Sequence, residues 1–125
     1  MLVRSLTERD LHGSDVALAR RTQAERYILA HLSDPRLSPS AVAAALHISR
    51  RSLYASAFPD GQGIATYIRR KRLRRARALL LDQARPLPVA QIAATVGLPD
   101  PAHFSRLFRA EYGRSPRNLR SHPDQ

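Results

Sequence analysis

Cysteine is absent from the 125 residues, which excludes disulfides and thiolate metal sites and is compatible with a reducing cytoplasm. The histidines His12, His31, His47, His103 and His122 show no close ligand spacing, so no metal site is expected. No stretch approaches the roughly 20 apolar residues of a membrane span. From Met1 to Arg20 charges recur every few residues, unlike the continuous apolar core of a signal peptide. A soluble, cytoplasmic protein is the expectation, with no membrane partner. Catalytic signatures are missing as well: there is no glycine-rich phosphate loop and no serine, histidine and carboxylate arrangement above background. The chain is too short for a large enclosed active site, so neither an enzyme nor a cofactor is expected. Acidic residues are few, 10 Asp+Glu against 21 Lys+Arg, for a formal charge of +11. Lysine is nearly missing too, since 20 of the 21 basic residues are arginine. That favours planar, bidentate, phosphate-seeking contacts. Arginine richness alone can reflect compositional bias, so clustering carries more weight than the total.

What is present is a repeat. Val42, Leu46 and Ile48 are echoed 50 residues later by Ile92, Val96 and Leu98, and Ala43-Ala44 by Ala93-Ala94. Each copy continues to a second apolar pair, Leu53 and Ala57 in the first, Phe104 and Phe108 in the second. Short helix, tight turn, second helix is the layout of a helix-turn-helix DNA reader.

Residues 1–21 mix charges with isolated leucines and read as a tail or a remnant interdomain linker that becomes helical near Val16 to Ala19. From Thr22 the spacing of Ala24, Tyr27, Ile28, His31 and Leu32 predicts an amphipathic helix ending at Ser33-Asp34-Pro35. Ser38-Pro39 supplies a cap and a first-turn proline for a helix to Leu46, and Ser49 a cap for the next helix, Arg50 to about Phe58. Pro59-Asp60-Gly61 stops that helix. A long helix is predicted over 63–81, then Pro88 to Val96, a turn at Gly97-Leu98-Pro99, and a helix opened by Asp100-Pro101 and closed by Gly113. Ser115-Pro116 starts a last short helix. The expected fold is all-α, about seven helices. Two helix-turn-helix subdomains, 22–62 and 82–122, are joined by a connecting helix over 63–81, with a tail over 123–125.

The run from Arg69 to Arg77 holds seven cations in nine residues. At about 100° per residue, Ile68, Leu73, Ala76, Leu79 and Leu80 share an apolar arc, and Arg70, Lys71, Arg74 and Arg77 form the opposite stripe. Arg69 and Arg72 project within or beside the apolar arc. A cation there needs a carboxylate or a row of helix C-terminal carbonyls, so both are read as structural. Roughly 19 residues at about 1.5 Å each make a rod of about 28 Å, comparable with the roughly 34 Å turn of B-DNA. Such a rod is consistent with two reading helices in successive major-groove segments.

Taken together, Arg72-Leu73, Ala76, Leu79-Leu80, Ile92-Ala93, Gly97-Leu98, His103-Phe104-Ser105-Arg106, Phe108, Gly113 and Ser115-Pro116 resemble the DNA-binding domain of the AraC/XylS family of transcription regulators. The resemblance runs from about Gln23 to Arg120. It implies two helix-turn-helix units joined by a long helix, binding asymmetric double-stranded DNA sites and mostly activating transcription. In that family the base-contacting side chains lie near the start and on the outer face of each second helix. Carried across, the first reader would use Arg51, Tyr54 and Ala55, with Arg50 and Ser52 close by. The second would use Pro101, Ala102, Ser105 and Arg106, flanked by His103 and Arg109. Arg51 and Arg106 would meet guanine, while Ala55, Pro101 and Ala102 offer only apolar contact, for example to a thymine methyl. Phosphate or partner contact would fall to Ser115, Arg117 and the stripe of Arg70, Lys71, Arg74 and Arg77.

Two departures from the family pattern stand out. Ala57 occupies a position that is commonly aromatic, with Phe58 behind it, so the first reading helix is expected to be rotated or shortened at its end. Only about 20 residues precede the domain, which fits either a stand-alone regulator or a fragment of a longer one, with no small-molecule effector expected within the chain. Two alternatives stay open from residues alone. One is a non-specific nucleic-acid-binding protein; the other is an interaction module whose basic stripe meets an acidic partner such as RNA polymerase.

Overall fold

Local cap chemistry sets most of the helix boundaries. The computed structural model describes residues 2–58 and 63–124, and among these it has seven helices and no strand. They are α1 (Leu2–Ala30), α2 (Pro39–Ala45), α3 (Arg50–Ala57), α4 (Ile64–Leu81), α5 (Val89–Thr95), α6 (Pro101–Tyr112) and α7 (Pro116–Ser121). Ser38 Oγ accepts from the Ala41 N–H at 3.1 Å, Ser49 Oγ from Ser52 N–H at 3.0 Å, and Ser115 Oγ from Asn118 N–H at 3.1 Å. Asp100 does the same for α6, taking the N–H groups of Ala102 and His103 at 3.1 and 3.4 Å. Each such cap stabilises its helix by about 1 kcal/mol. Proline follows the cap in α2, α6 and α7, where no intrahelical N–H is needed. The expected stop at Pro59-Asp60-Gly61 lies outside the described residues.

The N-terminal segment differs from the expected tail, because α1 runs from Leu2. No proline interrupts the chain before Pro35, and leucine, arginine, glutamate and alanine favour the helical state over most of it. Among the side chains described, Ala24 is the first buried one, and Leu18 upstream is 65% exposed. Helix propensity of these residues is sufficient reason for the helical state there. At its other end α1 stops at Ala30, so Leu32, predicted to lie in the helix, falls in the following turn.

Packing divides the chain into two units. In the first, α1 packs on both α2 and α3, and Ala24, Ile28, Val42, Leu53 and Ala57 are fully buried. Arg21 closes the end of α3: its Nη1 donates to the Ala57 carbonyl at 3.3 Å, and its guanidinium lies 4.8 Å from the Phe58 ring centroid. Phe58 is itself buried. An aromatic ring thus enters this core one residue after the helix ends, and α3 is short, with 8 residues against 12 in α6.

The second unit consists of His31–Leu37, all but the first residues of α4, and α5 to α7. The sequence reading sets 63–81 apart as a connector, whereas Leu73, Ala76 and Leu80 of α4 join one apolar cluster with Ile92, Val96, Phe104, Phe108 and Leu119. Of the two arginines placed near the apolar arc, Arg69 is exposed and only Arg72 is buried, at 7% exposure. Its Nε donates to the Leu32 carbonyl at 3.1 Å and its Nη2 to the Asp34 carbonyl at 2.7 Å. Burial lowers the Arg72 pKa from its ordinary value, with the Asp34 carboxylate opposing. Guanidinium remains charged; it gives the Leu32 carbonyl, in the turn after α1, a donor and joins the Leu37 N–H, at 3.1 Å, on the Asp34 carbonyl.

Candidate nucleic-acid interface

Each unit holds a helix-turn-helix with the same turn. In the first, His47 N–H bonds Ala44 O at 3.1 Å and Ile48 N–H bonds Ala43 O at 3.0 Å. In the second, Gly97 N–H bonds Ala94 O at 3.1 Å and Leu98 N–H bonds Ala93 O at 2.9 Å. Both are Schellman closures, which require a left-handed residue; His47 has φ 58° and Gly97 φ 84°. The 50-residue echo is therefore an echo of backbone geometry. After the turn the two copies shift by one residue, so Ser49 corresponds to Asp100, Leu53 to Phe104 and Ala57 to Phe108.

The second helices, α3 and α6, turn one face inward through these apolar residues and the other to solvent. On α3, Arg50, Arg51 and Ala55 are exposed, while Ser52 and Tyr54 are half-buried. On α6, Pro101, Ala102, His103, Arg106 and Arg109 are exposed and Ser105 is half-buried. The guanidinium groups of Arg50, Arg51, Arg106, Arg109 and Arg117 have no partner among the described residues. Two hydroxyls already have local work. Ser52 Oγ lies 2.9 Å from Ser49 Oγ, from which it accepts, and Ser115 Oγ caps α7.

A shallow groove of about 310 Å³ is lined by Val89, Ala90, Pro101, Ala102, Ser105, Ser115, Pro116 and Arg117. It brings together residues that the sequence reading assigned separately to base contact and to phosphate contact.

The stripe on α4 is more engaged than the helical projection suggests. Arg70 Nε is 3.6 Å from Glu111 Oε1, Arg77 lies 5.8 Å from the Tyr112 ring centroid, and Lys71 Nζ is 5.4 Å from the Tyr67 ring centroid. Arg74 is exposed. Burial raises the Tyr112 pKa above its ordinary value and Glu111 adds to this, while Arg77 and Arg74 oppose it. Sequence reasoning missed three arginines with structural partners. Arg20 Nη1 reaches Ser56 Oγ at 3.3 Å, Arg21 caps α3, and Arg114 bonds the Asn118 side chain at 2.8 Å and the Asn118 carbonyl at 3.0 Å. Arg21 and Glu25, paired at 3.0 Å, carried an i,i+4 signal that could have drawn attention to that face of α1. No group of three or more histidine, aspartate or glutamate side chains among the described residues is placed to hold a metal ion. No described helix is long and apolar enough to cross a membrane.

A family model described as a helix-turn-helix domain matches residues 42–122. Among solved structures, an AraC-type DNA-binding-domain regulator from Chromobacterium violaceum is similar with a TM-score of 0.75 and 27% identity, covering 89% of this chain and 97% of that one. The chain belongs to the AraC-type helix-turn-helix family of transcription regulators. A second neighbour is the C-terminal domain of AraT, a response regulator from Geobacillus stearothermophilus. It has a TM-score of 0.76 and 29% identity over 82% of this chain and 84% of that one. In sequence, the chain is 35% identical over 119 residues to the transcriptional activator NphR of a Rhodococcus species, covering 93% of this chain and 35% of NphR. The chain spans about a third of the length of the curated relatives it matches.

Proposed function

We propose that this chain is the double-stranded-DNA-reading part of a transcription activator that works in the cytoplasm on the nucleoid, with α3 and α6 each entering the major groove of one box. The observation that carries this reading is the pair of matched, capped helix-turn-helix units whose second helices present to solvent the guanidiniums of Arg51 and Arg106, which have no partner among the described residues. Arginine in that position can bond the N7 and O6 edges of guanine bidentately. Arg50, Arg109 and Arg117 supply phosphate contacts that set affinity and register without reading sequence. Tyr54, Ser105 and His103 fill the remaining contact positions, and Ser52 and Ser115 contribute through helix starts rather than free hydroxyls. Activation is supported by relatives named as activators, NphR and RhrA.

Selection from a random DNA pool tests this directly. A motif of two boxes supports two working readers, and a single box would mean that one unit does not read. Binding that competitor DNA titrates with no sequence preference at physiological salt would replace the proposal with non-specific binding. RNA polymerase contact through the α4 stripe is a second part of the reading, favoured only at Arg74, since Arg70 and Arg77 already face Glu111 and Tyr112. Arg74→Glu that loses activation while keeping DNA affinity supports a partner surface; loss of both points to phosphate contact.

A further inference from the structure

The two reading helices can be compared position by position, because their caps fix where each begins. Ser49 and Asp100 are extended residues whose side chains accept from the N–H groups that follow, so Arg50 and Pro101 are the first helical positions. The fourth positions, Leu53 and Phe104, and the eighth, Ala57 and Phe108, are all fully buried. Both helices are therefore rotated alike about their own axes, each within its own unit.

At about 100° per residue, the second and sixth positions lie opposite that buried line and project furthest outward. In α3 they are Arg51 and Ala55; in α6 they are Ala102 and Arg106, and all four are exposed. Arginine and alanine occupy the same two outermost places in reverse order. Four residues along a helix span about 6 Å, close to two base steps of roughly 3.4 Å. A guanidinium that reads guanine and a methyl that meets apolar surface are thus offered about two steps apart in each helix. On the α6 side the alanine belongs to a groove whose apolar wall is Val89, Ala90, Pro101 and Pro116, a setting that suits a methyl group, with Arg117, Ser105 and Ser115 completing the lining. The cations that would hold DNA around it, Arg106, Arg109 and Arg117, have no described partner of their own.

We infer that the two readers have opposite polarity. The helix α3 takes guanine at its N-terminal end and a 5-methyl pyrimidine, thymine in unmodified DNA, beside Ala55. The helix α6 takes the methyl-bearing base at its N-terminal end, beside Ala102, and guanine beside Arg106. The inference rests on the proposed reading of both helices as DNA contacts, and it adds which base chemistry each end demands.

Two measurements on the full chain test it. In the oligonucleotide selected by the protein, thymines are replaced one at a time by uracil, which removes the methyl group and leaves pairing unchanged. One such change in the α6 box should weaken binding about three- to fivefold, the worth of one buried methyl, and the loss should vanish in Ala102→Gly. A thymine in the α3 box should behave the same way toward Ala55→Gly. Separately, the double substitution Arg51→Ala with Ala55→Arg gives α3 the order of α6, and the guanine selected in that box should move by about two base pairs. If every uracil change is silent, or the guanine stays in place while site-specific binding persists, the inference fails and the DNA-reading proposal stands. If the unsubstituted protein selects no motif at all, both fail together. The uracil series needs no altered protein, so a variant that does not fold leaves it intact.

Discussion

The two helix-turn-helix units close their turns with the same pair of hydrogen bonds, yet one uses histidine and the other glycine at the left-handed position. The difference lies in the surroundings. A Cβ on Gly97 would overlap the Leu32 carbonyl oxygen and come within 3.0 Å of the Arg72 Nε and Nη2. His47 carries a side chain at the corresponding place and is exposed. Left-handed backbone costs a non-glycine residue roughly 1 to 2 kcal/mol, which the first unit tolerates. In the second unit backbone approaches backbone, and no side chain of any kind fits. The lesson is that the turn motif asks only for a conformation, while packing decides whether glycine is obligatory.

The largest expected effect breaks the comparison at this point. Gly97→Ala should destabilise the second unit by about 3 kcal/mol or more, from strain at positive φ together with overlap on rigid backbone; urea denaturation measures it. A loss below about 1 kcal/mol would mean that the Leu32 segment moves aside freely. Next comes Arg72→Met, which keeps most of the packing, leaves the Leu32 carbonyl without its donor and takes from the Asp34 carbonyl one of its two, the Leu37 N–H staying in place. A loss of about 2 to 3 kcal/mol is expected, and a neutral result would remove Arg72 as the tie between that segment and α4. Arg106→Ala leaves the fold alone and should weaken specific DNA binding by about 1 to 3 kcal/mol, relaxing preference at one base position. A selection that returned the parent motif unchanged would count against Arg106 as a reader. Smallest is His47→Gly, the counterpart of the first change with opposite sign. Relief of the left-handed strain, offset by the extra freedom of glycine in the unfolded chain, should stabilise the first unit by about 0.5 kcal/mol. If it destabilises instead, His47 contributes contacts that its exposure conceals.

The same contrast appears at the exits of the reading helices. Gly113, at φ 74°, ends α6 through its N–H on the Arg109 carbonyl at 2.7 Å. The end of α3 has Arg21 from α1 on its last carbonyl and Phe58 folded into the core. Glycine at a helix end is legible in a sequence because the requirement is local. A cation arriving from 36 residues away is not. The shortening of α3 could be anticipated from Ala57, yet nothing near Ala57 announces that Arg21 takes over the cap.

Much of the candidate site was legible for local reasons. Ser38, Ser49, Asp100 and Ser115 are caps because their short oxygens reach N–H groups two or three residues on, and the register of both reading helices follows from them. Helical projection placed Arg72 against apolar neighbours and left its partner open between a carboxylate and carbonyls; tertiary structure chose the carbonyls of Leu32 and Asp34. The same projection misjudged Arg69, because a position at the margin of an apolar arc is buried only if a neighbour covers it, and here none does. It also made the α4 stripe look free, since the side chains that meet Arg70 and Arg77 belong to α6.

By itself the sequence determined the periodicities, the caps and the duplicated turn. Each of these depends on bonds and angles within a few residues. Tertiary structure alone decided which cations remain available to a ligand, why Gly97 admits no substitute, and that the Leu32 carbonyl is held by Arg72 of α4 rather than ending α1. Those outcomes turn on groups far apart in the chain reaching the same few ångströms, which no local pattern encodes.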